Sequence, residues 1–240
     1  MNGALANLGL EFKKLRITYL MLICLGFSAV PFLITQGFLY FHREELTGQP
    51  LAIITANNLG SWSALLYPLF IIVLTQSLVD VERKGNLLLY GRSYRCRWLG
   101  FIIGKVMVVL TALVVVTLLN TVFHVALIYS LADRMMASDV PGMLRADMLD
   151  FIRIALAIIP LVFFHLVIAL LIERSGIAYL VGILLLVTGI PIINLTDLVG
   201  NPYAFGIASL KPSLGLEALL FPGTIIILLS LLISNWTLRR

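Results

Sequence analysis

The stretch from Glu82 to Trp98, ERKGNLLLYGRSYRCRW, is the part of the sequence richest in residues that could form specific contacts. It holds five cations within seventeen positions, namely Arg83, Lys84, Arg92, Arg95 and Arg97. The planar guanidinium of arginine can form paired hydrogen bonds with a carboxylate or a phosphate. On a helix, one face would carry, at spacings of three and four, Leu87, Tyr90, Tyr94 and Trp98. The pattern predicts an amphipathic helix with a basic flank, suited to an interface.

A second set of residues places polar side chains inside apolar stretches, where such a group is a candidate for lining a path. The set consists of Gln36, Gln76, Thr117, Asn120, Thr121 and His124. The last four follow one another along a single apolar stretch, at steps of one to four residues. Hydrogen bonding between neighbouring helices, worth about 0.6 kcal/mol per contact, is the alternative role for each of them.

The residue pattern contains no recognisable catalytic or metal-binding motif. The histidines His42, His124 and His165 lack metal-ligand spacing, and neither H-E-x-x-H nor G-x-S-x-G occurs. The stretch GFIIGKV, Gly100–Val106, is one residue short of a phosphate-binding loop, and Val106 stands where Ser or Thr would hold magnesium. We therefore predict that the chain is not an enzyme and binds neither a metal nor ATP itself.

The chain of 240 residues is far more apolar than a soluble protein. It is 60% hydrophobic and 12% charged, with a mean hydropathy of +1.04, whereas soluble domains are about 45–50% apolar and about 25% charged. Several apolar runs approach or exceed the roughly 20 residues that a helix needs to cross a bilayer. We therefore expect an all-α, polytopic membrane protein that forms one domain over residues 1–240. Its six predicted spans are Ile17–Phe41, Ser61–Val79, Leu99–Tyr129, Ile154–Ile172, Ile177–Ile193 and Leu219–Ile233.

The distribution of charge predicts how the chain lies in the membrane, because cytoplasmic loops carry an excess of Lys and Arg. With the N-terminus inside, 12 of the 17 cationic residues lie on the cytoplasmic side, but only 4 of the 12 acidic residues do. Both termini are then cytoplasmic, and residues 80–100 form the main cytoplasmic loop. A basic loop beneath a membrane typically faces anionic lipid or a cytosolic protein, so we expect no nucleic-acid partner.

Four features follow one another along the chain in a recognisable order. A basic amphipathic segment, LEFKKLR at Leu10–Arg16, precedes the first predicted span. Glu82, Gly85 and the leucines of NLLL follow the second span, and the pair Gly104–Lys105 opens the third. A partly apolar stretch separates the fifth span from the sixth. This order resembles the permeases of type-two ATP-binding-cassette exporters, above all the short permeases of lantibiotic- and bacitracin-type peptide resistance.

The resemblance implies a division of the domain into functional segments. Residues 1–16 would be a cytoplasmic interfacial segment, residues 80–100 a loop that couples the chain to an ATPase, and residues 195–217 an external re-entrant cap of short helices. The implied coupling residues are Glu82, Gly85, Leu87, Tyr90, Arg92, Tyr94, Arg95, Arg97 and Trp98. The polar set within the spans would then be the substrate path.

The resemblance also implies the partners and the cargo. Two ATPase subunits would bind ATP and Mg²⁺, and a second permease, identical or related, would complete the membrane part alongside membrane lipids. The expected cargo is an amphiphile, first an antimicrobial peptide, expelled from a bacterial plasma membrane. A scaffold or sensor subunit that transports nothing is the alternative. We disfavour an ion-driven carrier because the sequence places no acidic or basic residue deep in a span.

Overall fold

The described part of the chain is helical throughout. A computed structural model describes residues 17–42, 59, 62–85, 98–132, 139–196, 201–211, 214 and 216–239, and these residues contain no strand. The longer helices are α1 (Ile17–Phe41), α2 (Tyr67–Lys84), α3 (Trp98–Ala132), α4 (Val140–Ala157), α5 (Ile159–Leu171) and α6 (Ser175–Thr196). A π-helical turn, Trp62–Leu66, leads into α2; after α6 come a 3₁₀ turn (Pro202–Ala204), the short α7 (Phe205–Ala208) and α8 (Leu216–Arg239).

Five stretches of the described chain are long and apolar enough to cross a membrane. They are Ile17–Phe41, Ala64–Lys84, Gly100–Leu131, Val140–Leu171 and Glu217–Asn235. The predicted all-α class is therefore confirmed for the described residues, and the length and composition of these helices agree with the predicted multi-pass membrane protein. A sixth apolar stretch, Ser175–Pro191, is shorter than these five, so the count of six spans stays a prediction.

The fourth apolar stretch begins earlier than the predicted start at Ile154. Helix α4 starts at Val140, and the Asp139 side chain caps it by accepting a hydrogen bond from the Gly142 N–H at 3.0 Å. A turn at Ile158 separates α4 from α5, just before Pro160, whose missing N–H interrupts the helical ladder. The N-cap and a proline in the first turn start a helix well before the apolar run begins, so α4 contains residues that the sequence places before the fourth span.

Helix α2 is the centre of the bundle. The most apolar part of the α2 stretch is 61% buried, as is that of the stretch containing α4 and α5, against 22% in each of the α1 and α8 stretches. Helix α2 packs on α3, α5 and α6, whereas α1 lies against α3, and α8 lies against α5. Large apolar side chains such as Leu33 on α1 and Leu232 on α8 face outward. A bilayer would cover such faces, and this arrangement agrees with a membrane protein.

The chain that follows α6 folds back into the bundle. The Asn201 side chain donates to the Leu185 carbonyl at 2.7 Å, although Leu185 lies eleven residues, or about 16 Å of helix, before the end of α6. Gly189 makes this approach possible, because a Cβ atom there would lie 2.5 Å from Asn201 Nδ2. The segment Asn201–Lys211 thereby returns alongside α6 and buries Tyr203 and Phe205 completely.

Candidate functional site

A buried ion pair joins α2 to α3 on either side of the basic stretch. Lys105 Nζ lies 2.9 Å from Glu82 Oε2, and the two side chains are 0% and 1% exposed. The Lys105 ammonium also lies 4.6 Å from the centre of the Phe101 ring, a distance that allows a cation–π contact. Glu82 precedes residues 86–97 and Lys105 follows them, so the pair fixes the spacing of the two helices that carry this segment.

A second polar cluster fixes the same end of α2 to α5 and α6. The Arg83 guanidinium donates to the backbone carbonyls of Ala169 and Leu170, which belong to the last turn of α5. Those carbonyls have no partner within their own helix, and a cation there also meets the negative end of the helix dipole. Asp80 accepts a hydrogen bond from Ser175 Oγ, at the first residue of α6, at 2.7 Å. The end of α2 is therefore held against three neighbouring helices.

The predicted coupling residues fall into two groups. Leu87, Tyr90, Arg92, Tyr94, Arg95 and Arg97 lie outside the described residues, so their role stays a prediction. Glu82 is enclosed by the bundle, where it contacts Lys105, and its part in coupling stays a prediction. Gly85 ends α2 with an ordinary φ of −86°, so this site does not require the conformational freedom of glycine. Trp98 is the first residue of α3.

The six polar residues predicted to line a path have hydrogen bonds of their own within the bundle. Asn120 Nδ2 donates to the Tyr67 hydroxyl at 3.4 Å, and that hydroxyl donates to Thr117 Oγ1 at 3.4 Å. Thr121 bonds back to the Thr117 carbonyl within α3. These contacts are mainly bonds within and between helices, the alternative considered from the sequence.

The two glutamines lie apart from that group. Gln76 Nε2 donates to Asp80 Oδ1 at 2.9 Å, which places Gln76 in the cluster at the end of α2. Gln36 reaches Ser130 near the far end of α3 at 3.5 Å. These contacts do not test whether the six residues line a substrate path, so that role stays a prediction.

His124 is paired with an aspartate beside a small cavity. Its Nε2 atom lies 2.8 Å from Asp147 Oδ2, and the histidine is 4% exposed. The cavity has a volume of about 10 Å³, enough for about one water molecule. Its walls come from α1, the π-helical turn, α3 and α4, through Ser28, Pro31, Phe32, Trp62, Asn120, Phe123, His124, Leu127 and Phe151.

Sequence reasoning found His124 but missed its partner and most of the cavity wall. Asp147 precedes Ile154, where the sequence predicts the fourth span to begin, so the sequence alone does not place it beside His124. The Asp139 cap followed by Pro141 was the signal that could have extended the helix back to Val140 and brought Asp147 onto it. Trp62 and Ser28 carried no signal in the sequence, because only the packing of α1 and the π-helical turn brings them to α3.

The second buried histidine anchors the segment that folds back after α6. His165 Nδ1 lies 2.6 Å from the Tyr203 hydroxyl, and both side chains are 0% exposed. Burial raises the pKa of the Tyr203 phenol above its usual range, so the hydroxyl keeps its proton within this hydrogen bond. His165 Nε2 has no hydrogen-bond partner among the described residues. Gly182 gives the imidazole its space, because a Cβ atom there would lie 2.8 Å from His165 Cε1.

The structure changes one inference about mechanism. The predicted spans leave Glu82 and Asp147 outside and Lys105 near the start of the third span, yet all three are buried within the bundle. The absence of buried carboxylates therefore no longer argues against an ion-driven carrier.

In the described part of the chain, no group of three or more His, Cys, Asp or Glu side chains is arranged to hold a metal ion. Comparison with protein-family models, curated proteins and solved structures finds no match to this chain.

Proposed function

We propose that the chain is the membrane-embedded permease subunit of an ATP-driven exporter. The observation that carries the proposal is the buried Glu82–Lys105 pair, which brackets residues 86–97 and links that basic stretch to the core of the bundle. A force applied to this stretch would reach α2 and α3 directly, because both flanking helices are fixed to each other. The Arg83 and Asp80 contacts would pass the same movement to α5 and α6.

The proposed exporter has two ATPase subunits that bind ATP and Mg²⁺ and a second permease, identical or related to this chain. Closure of the ATPases on ATP would pull the basic stretch and switch the permease pair between inward- and outward-facing states. Six spans with both termini in the cytoplasm would place that stretch on the ATPase side, as the charge distribution indicates. The proposed cargo is an amphiphile, and an antimicrobial peptide is the first substrate to test.

The experiment changes the chemistry of the basic stretch without changing its charge. Replacing Arg92 and Arg95 with Lys keeps both positive charges but removes the forked geometry that pairs with carboxylates. Tyr94→Ala removes an aromatic ring, and a buried aromatic anchor of this kind can be worth about 2 kcal/mol or more at an interface. We expect both variants to insert normally and to lose co-purification with a nucleotide-binding subunit, together with transport. Lys84→Arg is the matched control, because Lys84 is an exposed cation just before the stretch.

The proposal fails if the unmodified chain, extracted in mild detergent, never co-purifies with a nucleotide-binding subunit. A scaffold or sensor subunit would instead assemble with other membrane proteins and give no substrate movement in vesicles with ATP. If the Lys and Ala variants assemble and transport like the parent, residues 86–97 set only the orientation of the chain.

A proton-driven carrier is the second candidate, favoured by the His124–Asp147 pair beside a cavity. Buried ionisable pairs of this kind occur in proton relays of membrane transporters. The two candidates separate in vesicles that contain the purified chain alone. An imposed pH gradient should drive substrate movement if the chain is a carrier and should have no effect if the chain needs an ATPase.

A further inference from the structure

We propose that the cavity beside His124 binds the primary ammonium group of an amphiphile. This inference deepens the proposed function, and it rests on that function only in taking the amphiphile to be the cargo. Three properties of the cavity support it, namely its hydrogen-bonding capacity, its charge and aromatic walls, and its size.

The hydrogen-bonding capacity follows from the contact between His124 and Asp147. A carboxylate only accepts hydrogen bonds, so the 2.8 Å contact assigns the proton of a neutral imidazole to Nε2. The other nitrogen, Nδ1, then presents a lone pair. It is buried and has no hydrogen-bond partner in the described part of the chain. A buried acceptor of this kind is satisfied by a ligand that donates a hydrogen bond.

The charge and the walls favour a cationic donor over a neutral one. No charged side chain lies among the described residues that line the cavity. The negative charge at the site comes from Asp147, which is not part of the wall but is bonded to His124. Four aromatic residues surround the same space, namely Phe32, Trp62, Phe123 and Phe151. Aromatic faces attract cations, most strongly where water is excluded. The side-chain oxygens of Ser28 and Asn120 in the wall provide further acceptors for a group with several N–H bonds.

The size selects among cations. A volume of about 10 Å³ accepts a group about as large as one water molecule. A primary ammonium meets this limit, whereas a trimethylammonium group exceeds it and has no N–H to donate. Two sources could supply such a group: the headgroup of an ethanolamine lipid and a free amphiphilic amine. The experiment has to separate them.

The experiment uses Trp62 as a reporter in the wall of the cavity. The chain has three tryptophans, so the Trp98→Phe/Trp236→Phe variant leaves Trp62 alone. This variant, in phosphatidylcholine vesicles, is titrated with dodecylamine while Trp62 emission is followed. We expect a saturable change with dodecylamine and none with dodecanol or dodecyltrimethylammonium. Equal responses to all three compounds, or no saturable response to dodecylamine, would overturn the proposal.

His124→Gln tests the role of Nδ1, because the glutamine amide can replace the Nε2 contact with Asp147 but has no group at the Nδ1 position. We expect it to weaken dodecylamine binding about tenfold or more, since a hydrogen bond to a charged group is worth roughly 1.5–3 kcal/mol. Thr111→Ala, an exposed position on the same helix but outside the cavity wall, should bind like the parent. If His124→Gln does not fold, Asn120→Leu is measured in its place, and we expect the same loss of dodecylamine binding. If the cavity variant that folds binds dodecylamine as tightly as the parent, the cavity is not the ammonium site.

Vesicles that contain phosphatidylethanolamine identify the source of the amine. If this lipid shifts Trp62 emission and competes with dodecylamine, the site takes lipid headgroups. If dodecylamine binds equally well with and without the lipid, the site is for a free amphiphilic amine. The binding measurement needs no ATPase, so its result is independent of whether the chain associates with one.

Discussion

At the scale of single residues, the Glu82–Lys105 pair is the interaction that we expect to matter most for stability. The two side chains are fully buried, and removing one partner leaves a charge in a low-dielectric interior. We expect Glu82→Gln and Lys105→Met each to destabilise the chain by about 3–5 kcal/mol. The double variant should recover much of this loss, because it leaves no buried charge behind. Thermal unfolding in detergent gives the comparison.

Lys84→Met is the control for these variants, because it removes a lysine that is exposed at the end of the same helix. It should change stability by less than about 0.5 kcal/mol, as surface substitutions usually do. If the double variant is as unstable as the sum of the two single variants, Glu82 and Lys105 do not interact as a pair. The positional argument for residues 86–97 would then lose its support.

At the same scale, the sequence identified some site residues and left others unrecognised. Glu82 stood out as an acidic residue at the end of an apolar run. Its partner Lys105 follows an intervening basic stretch, and nothing in the spacing indicates which of the nearby cations turns inward. His124 stood out as a histidine in an apolar helix, but Asp147 could be connected to it only through the packing of α4 on α3. Tertiary contacts between separate helices decide both pairings.

At the scale of secondary-structure elements, apolar runs located most helices well. The predicted run Ile17–Phe41 coincides with α1, because no charged residue interrupts it. The second run was predicted to end at Val79, yet α2 continues to Lys84. Its charged last turn stays helical because Asp80, Glu82 and Arg83 find partners on neighbouring helices. Hydropathy predicts that a helix ends at its first charged residues, whereas contacts with neighbouring helices let the helix continue through them.

The close approach of α6 to its neighbours gives a prediction at the same scale. A Cβ atom at Gly182 would lie 2.8 Å from His165 Cε1 and 3.0 Å from Ile72 Cδ1. We expect Gly182→Ala to push the imidazole away from Tyr203 and to destabilise the chain by about 1–3 kcal/mol, as overpacking does. Chymotryptic digestion at Tyr203 and Phe205, between α6 and α8, should become faster, because the segment Asn201–Lys211 would be held less tightly.

Gly176→Ala is the matched control, since a Cβ atom at Gly176 has no heavy atom within 4 Å. This substitution should leave stability unchanged or raise it slightly, because alanine favours a helix over glycine by about 1 kcal/mol. Equal loss in the two variants would mean that α6 is sensitive to any side chain. The contact with His165 would then not explain the result at Gly182.

At the scale of the whole molecule, the open question is whether α6 crosses the membrane. Five stretches of the described chain are long and apolar enough to do so, and Ser175–Pro191 is shorter. The charge distribution supports a sixth crossing, because only an even number of spans places both termini and most cations on one side. The side of the membrane on which each end of α6 lies decides between five and six spans.

Single cysteines at two positions provide this test, after Cys24 and Cys96 have been replaced with Ser. Arg174→Cys places a thiol at an exposed site just before α6, and Ser213→Cys places one after the segment that folds back. With six spans, a membrane-impermeant maleimide added to intact cells should label Ser213→Cys and leave Arg174→Cys unlabelled until the membrane is opened. Labelling of both sites from outside would show that α6 does not cross, and labelling of Arg174→Cys alone would reverse the orientation. The proposed function requires residues 86–97 and the C-terminus on the cytoplasmic side, and either result would place at least one of them outside.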